Sequence, residues 1–377
     1  MPGSHPLKVV QLLPALESGG VERGTVEFAR ELVRRGHESI VISSGGRQVS
    51  RLEAEGSRHI QMPVHRKSLF SLLQVRRMRR LLTELKPDIV HVRSRVPAWI
   101  TWLAWRKLPP QSRPRLVSTV HGMYSVNAYS AIMTKPEHII AISDCVHDYI
   151  LQNYSIPADR ITRIYRGLDP SIFHTGQALT DWSEQLFTQY PQLRGKKLLL
   201  MPGRLSRWKG QEAFLDVMLR LTGMRDDCHG VIIGDAEDNK QHYLQELLDK
   251  RHALGLDNQV TFVGHRTDIE SFYALANITC HLSTKAEPFG RTVPEALACG
   301  CPVIAYDRGG ASESLRAAFP EGLVPADDID AFAIRANQLL DRPPGDIHLP
   351  EEFLLNTQVE RTLDVYYRLL AQPVSSR

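Results

Sequence analysis

The chain has 377 residues, 42% of them hydrophobic and 23% charged, with a formal net charge of +4. That composition belongs to a folded globular protein and excludes disorder, the length suits two domains better than one core, and no apolar run approaches the ~20 residues that span a bilayer. The mild positive charge permits contact with anionic lipid or phosphorylated sugar and makes no demand for nucleic acid.

Met1 to Pro6 lacks the charged start and apolar stretch of a secretion signal, so a cytosolic protein is expected. Lys8-Val9-Val10-Gln11-Leu12-Leu13 predicts a strand, Ser18-Gly19-Gly20-Val21-Glu22 a turn, and the spacing of Phe28, Leu32 and Val33 a helix running to Gly36-His37. Glu38-Ser39-Ile40-Val41-Ile42-Ser43 follows so closely that the two strands read as parallel with a right-handed crossover. The run Gly19 to Gly24 misses the G-x-G-x-x-G spacing, which disfavours a dehydrogenase.

Downstream of His65, Arg66, Lys67, Arg76, Arg77, Arg79 and Arg80 are interleaved with Leu69, Leu72, Leu73, Met78, Leu81, Leu82 and Leu85 at helical spacing. Such a helix over 66–85 suits an anionic lipid surface, and equally a helix docked on the sheet with a solvated basic side. Asp88 to Val92, Leu116 to Val120 and His138 to Ile142 read as further strands, with Arg93-Ser94 directly after the first and His121-Gly122 after the second. Trp99, Trp102 and Trp105 recur at i, i+3, a packing stripe in preference to an interfacial belt. Past Ile161 to Asp169 the regular pattern lapses, which places a domain boundary at 175/176.

The second half repeats the scheme, with strands expected at Lys197 to Met201, Val231 to Gly234, Val260 to Gly264, Ile278 to Ser283 and Pro302 to Ala305. Arg204 and Lys209 follow the first of these, at the end of the sheet where α/β proteins bind ligands, and two cations there suit a diphosphate. Gly203 to Gly210 does not match the P-loop, whose lysine stands one place earlier with a hydroxyl residue after it. Glu287 to Ala296 leads from strand into a helix that Gly300 stops, and Pro294 is tolerated in its first turn. A helix starting there points free N–H groups at the mouth of the sheet, which suits a phosphate. The carboxylates of Glu287 and Glu295 suit the adjacent hydroxyls of a sugar and a ribose. Asp328-Ile329-Asp330 precedes Ala331-Phe332-Ala333 and reads as a helix cap in preference to a metal-binding pair. Cys145, Cys228, Cys280, Cys299 and Cys301 are odd in number and scattered, so reduced thiols are expected, with Cys299 and Cys301 packing and holding no metal. After the proline-rich stretch 342–350, Val359 to Leu370 is apolar at helical spacing and closes the chain as a helix within 356–377.

Strands alternating with helices in both halves predict an α/β protein of two doubly wound, Rossmann-like domains, 1–175 and 176–355, facing a central cleft. The segment Glu287-Pro288-Phe289-Gly290 with Glu295-Ala296, continued by Ala298 to Ala305, resembles the EX7E motif of retaining glycosyltransferases of the GT-B fold, in particular family four. Pro202-Gly203-Arg204 with Lys209-Gly210, Thr119-Val120-His121-Gly122 and Arg166-Gly167-Leu168-Asp169 extend the likeness over nearly the whole chain, with Arg166 standing where many relatives carry asparagine.

The resemblance implies that Glu287 holds donor-sugar hydroxyls and Glu295 the ribose, while Phe289 and Gly290 approach the sugar through backbone amides, flanked by Arg291 and Thr292. Arg204 and Lys209 would hold the diphosphate in place of a metal, His121 would meet the donor sugar across the cleft, and Gly19 and Gly20 would border the donor. Gly264-His265-Arg266 would border the base, mostly through backbone atoms, and Arg93 and Ser94 would line the acceptor side. The final helix would cross back onto the first domain. The expected activity is retaining transfer of a hexose from a nucleotide sugar, with UDP favoured by family frequency, to a lipid-linked or lipopolysaccharide core saccharide. No cofactor or metal is expected. Gly19 to Glu22 and Val92 to Arg95 look like bacterial enzymes of lipopolysaccharide core or surface polysaccharide, which implies peripheral contact with the cytoplasmic face of an inner membrane. A nucleotide-sugar epimerase or glycogen-type phosphorylase on the same plan, and a non-catalytic glycan-binding module, are the rival readings.

Overall fold

The computed structural model describes residues 5–17, 19–65, 71–177, 179–236 and 241–372. The chain divides into two compact units, Met1–Gly167 with Leu354–Arg377, and Leu168–Phe353.

In the first unit the strands are β1 (Lys8–Leu12), β2 (Glu38–Ser43), β3 (Arg58–Gln61), β4 (Ile89–Val92), β5 (Arg115–Val120), β6 (His138–Ala141) and β7 (Ile161–Arg163). They form one parallel sheet in the order β3-β2-β1-β4-β5-β6-β7. The central strands β4, β5 and β6 are buried along their whole length, the pattern of a parallel sheet covered on both faces. Helix Gly20–Arg34 buries Val26, Phe28, Ala29 and Leu32. The final helix, Leu355–Ala371, packs Leu355, Val359, Leu363, Tyr366 and Leu369 into the same core as Phe28, Ile89 and Val117.

The second unit contains β8 (Lys197–Pro202), β9 (Cys228–Ile233), β10 (Val260–Phe262), β11 (Ile278–His281), β12 (Val303–Tyr306) and β13 (Leu323–Val324), again parallel, in the order β10-β9-β8-β11-β12-β13. Both sheets therefore reverse their winding beside the first strand, between β1 and β4 and between β8 and β11. Those are the switch points where doubly wound sheets open a crevice at their carboxyl ends.

Three strands have no counterpart in the sequence expectation: β3, β7 and β13 lie at sheet edges and are short. Edge strands are kept short and polar because a long apolar edge invites aggregation, and that removes the apolar run by which a strand is recognised. The units divide after Gly167 and after Phe353 instead of at 175/176 and 355/356. Leu168 and Phe173 belong to the core of the second unit, and the Leu168 amide donates to the Phe353 carbonyl at 2.9 Å.

Of the basic stretch, residues 66–70 lie outside the described residues; helix Ser71–Leu85 packs on helix Arg95–Trp105. Its Val75, Met78 and Leu82 are buried while Arg76, Arg77, Arg79 and Arg80 are exposed. Trp99 and Trp102 meet edge to face, and the Trp99 and Trp105 indoles donate to the carbonyls of Tyr129 and Pro114, so the tryptophan stripe is packing. The five cysteines are free thiols. No helix among the described residues is long and apolar enough to cross a membrane.

Candidate functional site

At the switch point of the second unit, two loops are pinned together. Gly210, at φ 88°, ends the loop after β8 so close to the extension of β11 that a Cβ there would lie 2.0 Å from the Leu282 carbonyl oxygen. Nearby the Thr284 amide donates to the Trp208 carbonyl at 2.9 Å. This approach carries Lys209 to Glu287: its Nζ stands 2.8 Å from Oε1 and 4.6 Å from the centre of the Trp208 ring. The Glu287 backbone is fixed by a bridge to Gly309 and by the Gly310 amide, which donates to its carbonyl at 2.7 Å.

Glu287 is 6% exposed. Ser283 Oγ donates to its Oε1, and His281 Nε2 lies 3.3 Å from the same oxygen. Burial works to raise the carboxyl pKa, but the fields of His281 and Lys209 and hydrogen bonds from Lys209 and Ser283 outweigh it and hold the group below the ordinary carboxylate range. Burial also depresses His281 against the pull of Glu287.

Glu295 is equally buried. Its Oε1 accepts from Arg291 Nε at 2.7 Å and its Oε2 from the Tyr273 hydroxyl at 3.3 Å. Arg291 thus faces Glu295, and Thr292 Oγ1 lies 3.3 Å from His281 Nδ1. Phe289 is buried, and Gly290, at φ 72°, sits where a Cβ would lie 2.4 Å from the Ala311 Cβ. Arg204 is exposed in the loop after β8. The Arg266 guanidinium is held by Asp268 at 2.9 and 2.6 Å and lies over the Phe272 ring. Asp328 caps helix Ile329–Asp341 by accepting from the Ala331 amide at 2.8 Å.

The first unit gathers a second group of expected residues at its own switch point. Arg93 follows β4, and its amide donates to the Leu12 carbonyl at 2.9 Å. The side chain is 4% exposed, donates from Nε to Gln11 Oε1 at 2.9 Å and lies over the Phe28 ring. Burial lowers its pKa to about 10, so it remains a cation at neutral pH. Behind it His91 is clamped between the Tyr366 hydroxyl of the final helix at 2.5 Å and Thr119 Oγ1 at 2.6 Å.

His121 follows β5, and neither of its buried ring nitrogens has a partner among the described residues. Burial, then the charges of Arg166, Arg93 and His91, push its pKa well down, so the imidazole is neutral. Arg166, the departure from the family's asparagine, donates from Nη2 to the Gly20 carbonyl at the start of helix Gly20–Arg34, which Gly19 precedes. Ser94 precedes helix Arg95–Trp105 without a side-chain capping bond.

Comparison with known proteins gives these two groups a common context. A family model described as Glycosyltransferase Family 4 matches residues 18–172, and one described as Glycosyl transferases group 1 matches residues 183–353. The chain belongs to the GT-B glycosyltransferases of family 4. It is 24% identical over 326 residues to an uncharacterized glycosyltransferase of Methanocaldococcus jannaschii, covering 79% of each chain. It is 31% identical over 151 residues to a lipopolysaccharide core biosynthesis mannosyltransferase of Rhizobium meliloti, covering 40% of this chain and 43% of that protein. The solved structure of a glycosyltransferase from Rickettsia africae ESF-5 matches with a TM-score of 0.87 at 28% identity, over 98% of this chain and all 100% of that one. HepE of Anabaena, solved in complex with UDP and glucose, shares the fold at 22% identity and a TM-score of 0.79, over 96% of this chain and 100% of that one.

In this glycosyltransferase the structure brings Lys209 and Glu287 into one ion pair, and Arg93 and His121 into one field. Ser283, His281, Trp208 and Tyr273 were not anticipated as partners of the glutamates and of Lys209. Ser283 carried a faint signal, a hydroxyl closing an apolar strand four residues before Glu287.

Proposed function

We propose that this glycosyltransferase moves a hexose from a UDP-sugar to a lipid-linked or lipopolysaccharide core saccharide, with retention of anomeric configuration and without a metal. The observation that carries the reading is the Lys209 to Glu287 pair at the switch point of the second unit, at 2.8 Å. A donor diphosphate draws Lys209 toward itself, with Arg204 in the same loop, and the Glu287 carboxylate so released accepts hydrogen bonds from sugar hydroxyls. Backbone amides at Phe289 and Gly290 are the proposed further contacts of the sugar. The C1 to diphosphate bond breaks as the two cations stabilise the charge growing on the leaving oxygen. The acceptor hydroxyl bonds to C1 on the same face, and its proton passes to the leaving phosphate. UDP is supported by the bound nucleotide of the Anabaena protein, and the acceptor class by the Rhizobium mannosyltransferase. The exposed arginines of helix Ser71–Leu85 support a place on the cytoplasmic face of a membrane.

A thermal-shift panel of UDP-, GDP- and ADP-sugars tests the donor. A ligand at a hundred times its dissociation constant stabilises by ~2.7 kcal/mol, so one of the three should raise the melting temperature clearly, and release of that nucleotide should follow on adding acceptor. A chain that none of the three shifts does not use a donor of this class.

A further inference from the structure

Buried arginines among the described residues are otherwise matched to carboxylates. Arg115, 5% exposed, meets Glu137 at 2.7 Å, and the half-buried Arg291 meets Glu295 at the same distance. Arg93, at 4% exposed, meets no acidic side chain among the described residues. Its Nε is used by Gln11, its face by Phe28, and its Nη1 and Nη2 donate to no described acceptor. Burying a cation without an anion costs several kcal/mol, and a fold that carries such a group either loses that stability or recovers it when a ligand brings the anion.

The surroundings favour a ligand. Arg93 stands at the carboxyl end of β4, at the switch point of the first sheet. His121, directly after the neighbouring strand β5, feels the Arg93 charge and has both ring nitrogens unpartnered among the described residues. Arg95, two residues on, lies over the rings of Tyr124 and Tyr129 at 4.5 and 5.4 Å and donates to Ser130 Oγ, again with no carboxylate. A planar fork with two open donors beside a neutral imidazole matches phosphate oxygens and has no use for a neutral hydroxyl alone.

We propose that the acceptor of the transferred sugar carries a phosphate group, and that Arg93, with Arg95 and His121 beside it, receives that phosphate at the switch point of the first unit. The proposal deepens the functional reading above and rests on it for the word acceptor; the anion site itself does not.

The test is calorimetric titration of the full chain with inorganic phosphate and with UDP, each alone and each in the presence of the other. Phosphate is expected to bind whether or not UDP is present, and Arg93→Gln to weaken phosphate tenfold or more while UDP affinity stays within twofold. Arg93→Lys, which keeps the charge and loses the fork, should fall between the two. Equal phosphate affinity in the parent and Arg93→Gln, or no phosphate binding by the parent, overturns the site. Mutual exclusion of phosphate and UDP in the parent also overturns it, because the pocket then serves the donor diphosphate; this arm needs no variant and decides the matter even where Arg93→Gln fails to fold. Phosphate binding without UDP binding keeps the anion site and defeats the donor assignment instead. Titration with glucose 6-phosphate, and cosedimentation with phosphatidate vesicles, tell a soluble from a lipid-borne phosphate, and glucose binding as tightly as its 6-phosphate overturns the proposal.

Discussion

Replacing Lys209 with alanine removes two things at once, a proposed stabiliser of the leaving diphosphate and the resting partner of Glu287. The first loss is kinetic. Deleting one preorganised donor to a developing charge typically costs ~2.7 to 4 kcal/mol in the transition state, so turnover should drop about 10²- to 10³-fold. The second is a loss of stability. Breaking a buried pair from one side costs ~3 to 5 kcal/mol, but the Lys209 side chain is 20% exposed and Glu287 keeps Ser283 and His281. A deficit of about 1 to 2 kcal/mol is therefore expected, or roughly 2 to 8 °C in melting temperature for a unit of this size. Its pH dependence has a definite sign. The Glu287 pKa is depressed in the folded state, so the group adds stability above its unfolded value and loses it as pH falls through the folded value. Without Lys209 the depression shrinks, and the gap between parent and variant should be widest at neutral pH and close in acid. Adding Glu287→Gln to Lys209→Ala should restore the melting temperature and leave turnover low. Near-normal turnover in the folded variant refutes the diphosphate role; a melting deficit that does not change with pH refutes the pairing.

Activity should persist in excess EDTA, because Arg204 and Lys209 are proposed to take the place of a metal, and loss of activity restored by manganese would count against that. Changing Arg76, Arg77, Arg79 and Arg80 together to glutamine should release the protein from anionic vesicles at low salt, since each cation near such a surface contributes ~1 kcal/mol; equal sedimentation of parent and variant would show that the helix has a merely solvated basic side. Asp328→Ala should cost about 1 kcal/mol by removing the cap at 2.8 Å from the Ala331 amide, and an unchanged denaturation midpoint would show the cap to be idle.

The inner strands were legible because a parallel sheet covered on both faces needs continuous apolar runs, as in Leu116 to Val120. Arg58-His59-Ile60-Gln61 was not, since as edge strand β3 it has a single apolar residue. The boundary was missed because Leu168 and Phe173 show no periodicity; their membership in the second core comes from tertiary contact. The same division holds at the site. Glu287 and Lys209 could each be picked out from local sequence, but their pairing, 78 residues apart in sequence, depends on the close approach at Gly210. Arg93 read as a loop residue after a strand, and nothing local announces that it is buried or that its neighbours leave it without an anion.

In the proposed reaction the pairing of Lys209 with Glu287 also limits how tightly free nucleotide can bind. UDP has a diphosphate to attract Lys209 but no hexose hydroxyls to occupy Glu287, so its binding must break a 2.8 Å ion pair and leave a buried carboxylate with only Ser283 and His281. A UDP-sugar compensates that loss with its hydroxyls. On that proposal the site favours intact donor over spent nucleotide, which would help product leave. Glu287→Gln removes the competing charge at nearly constant shape. It should bind UDP more tightly, by about 1 to 2 kcal/mol or roughly tenfold, while turnover falls because the sugar loses its carboxylate. Titrating UDP into parent and variant at one ionic strength measures the difference. Unchanged or weaker UDP binding by Glu287→Gln would mean that Lys209 does not leave Glu287 for the diphosphate, and the exchange at the centre of the proposed reaction would fail with it.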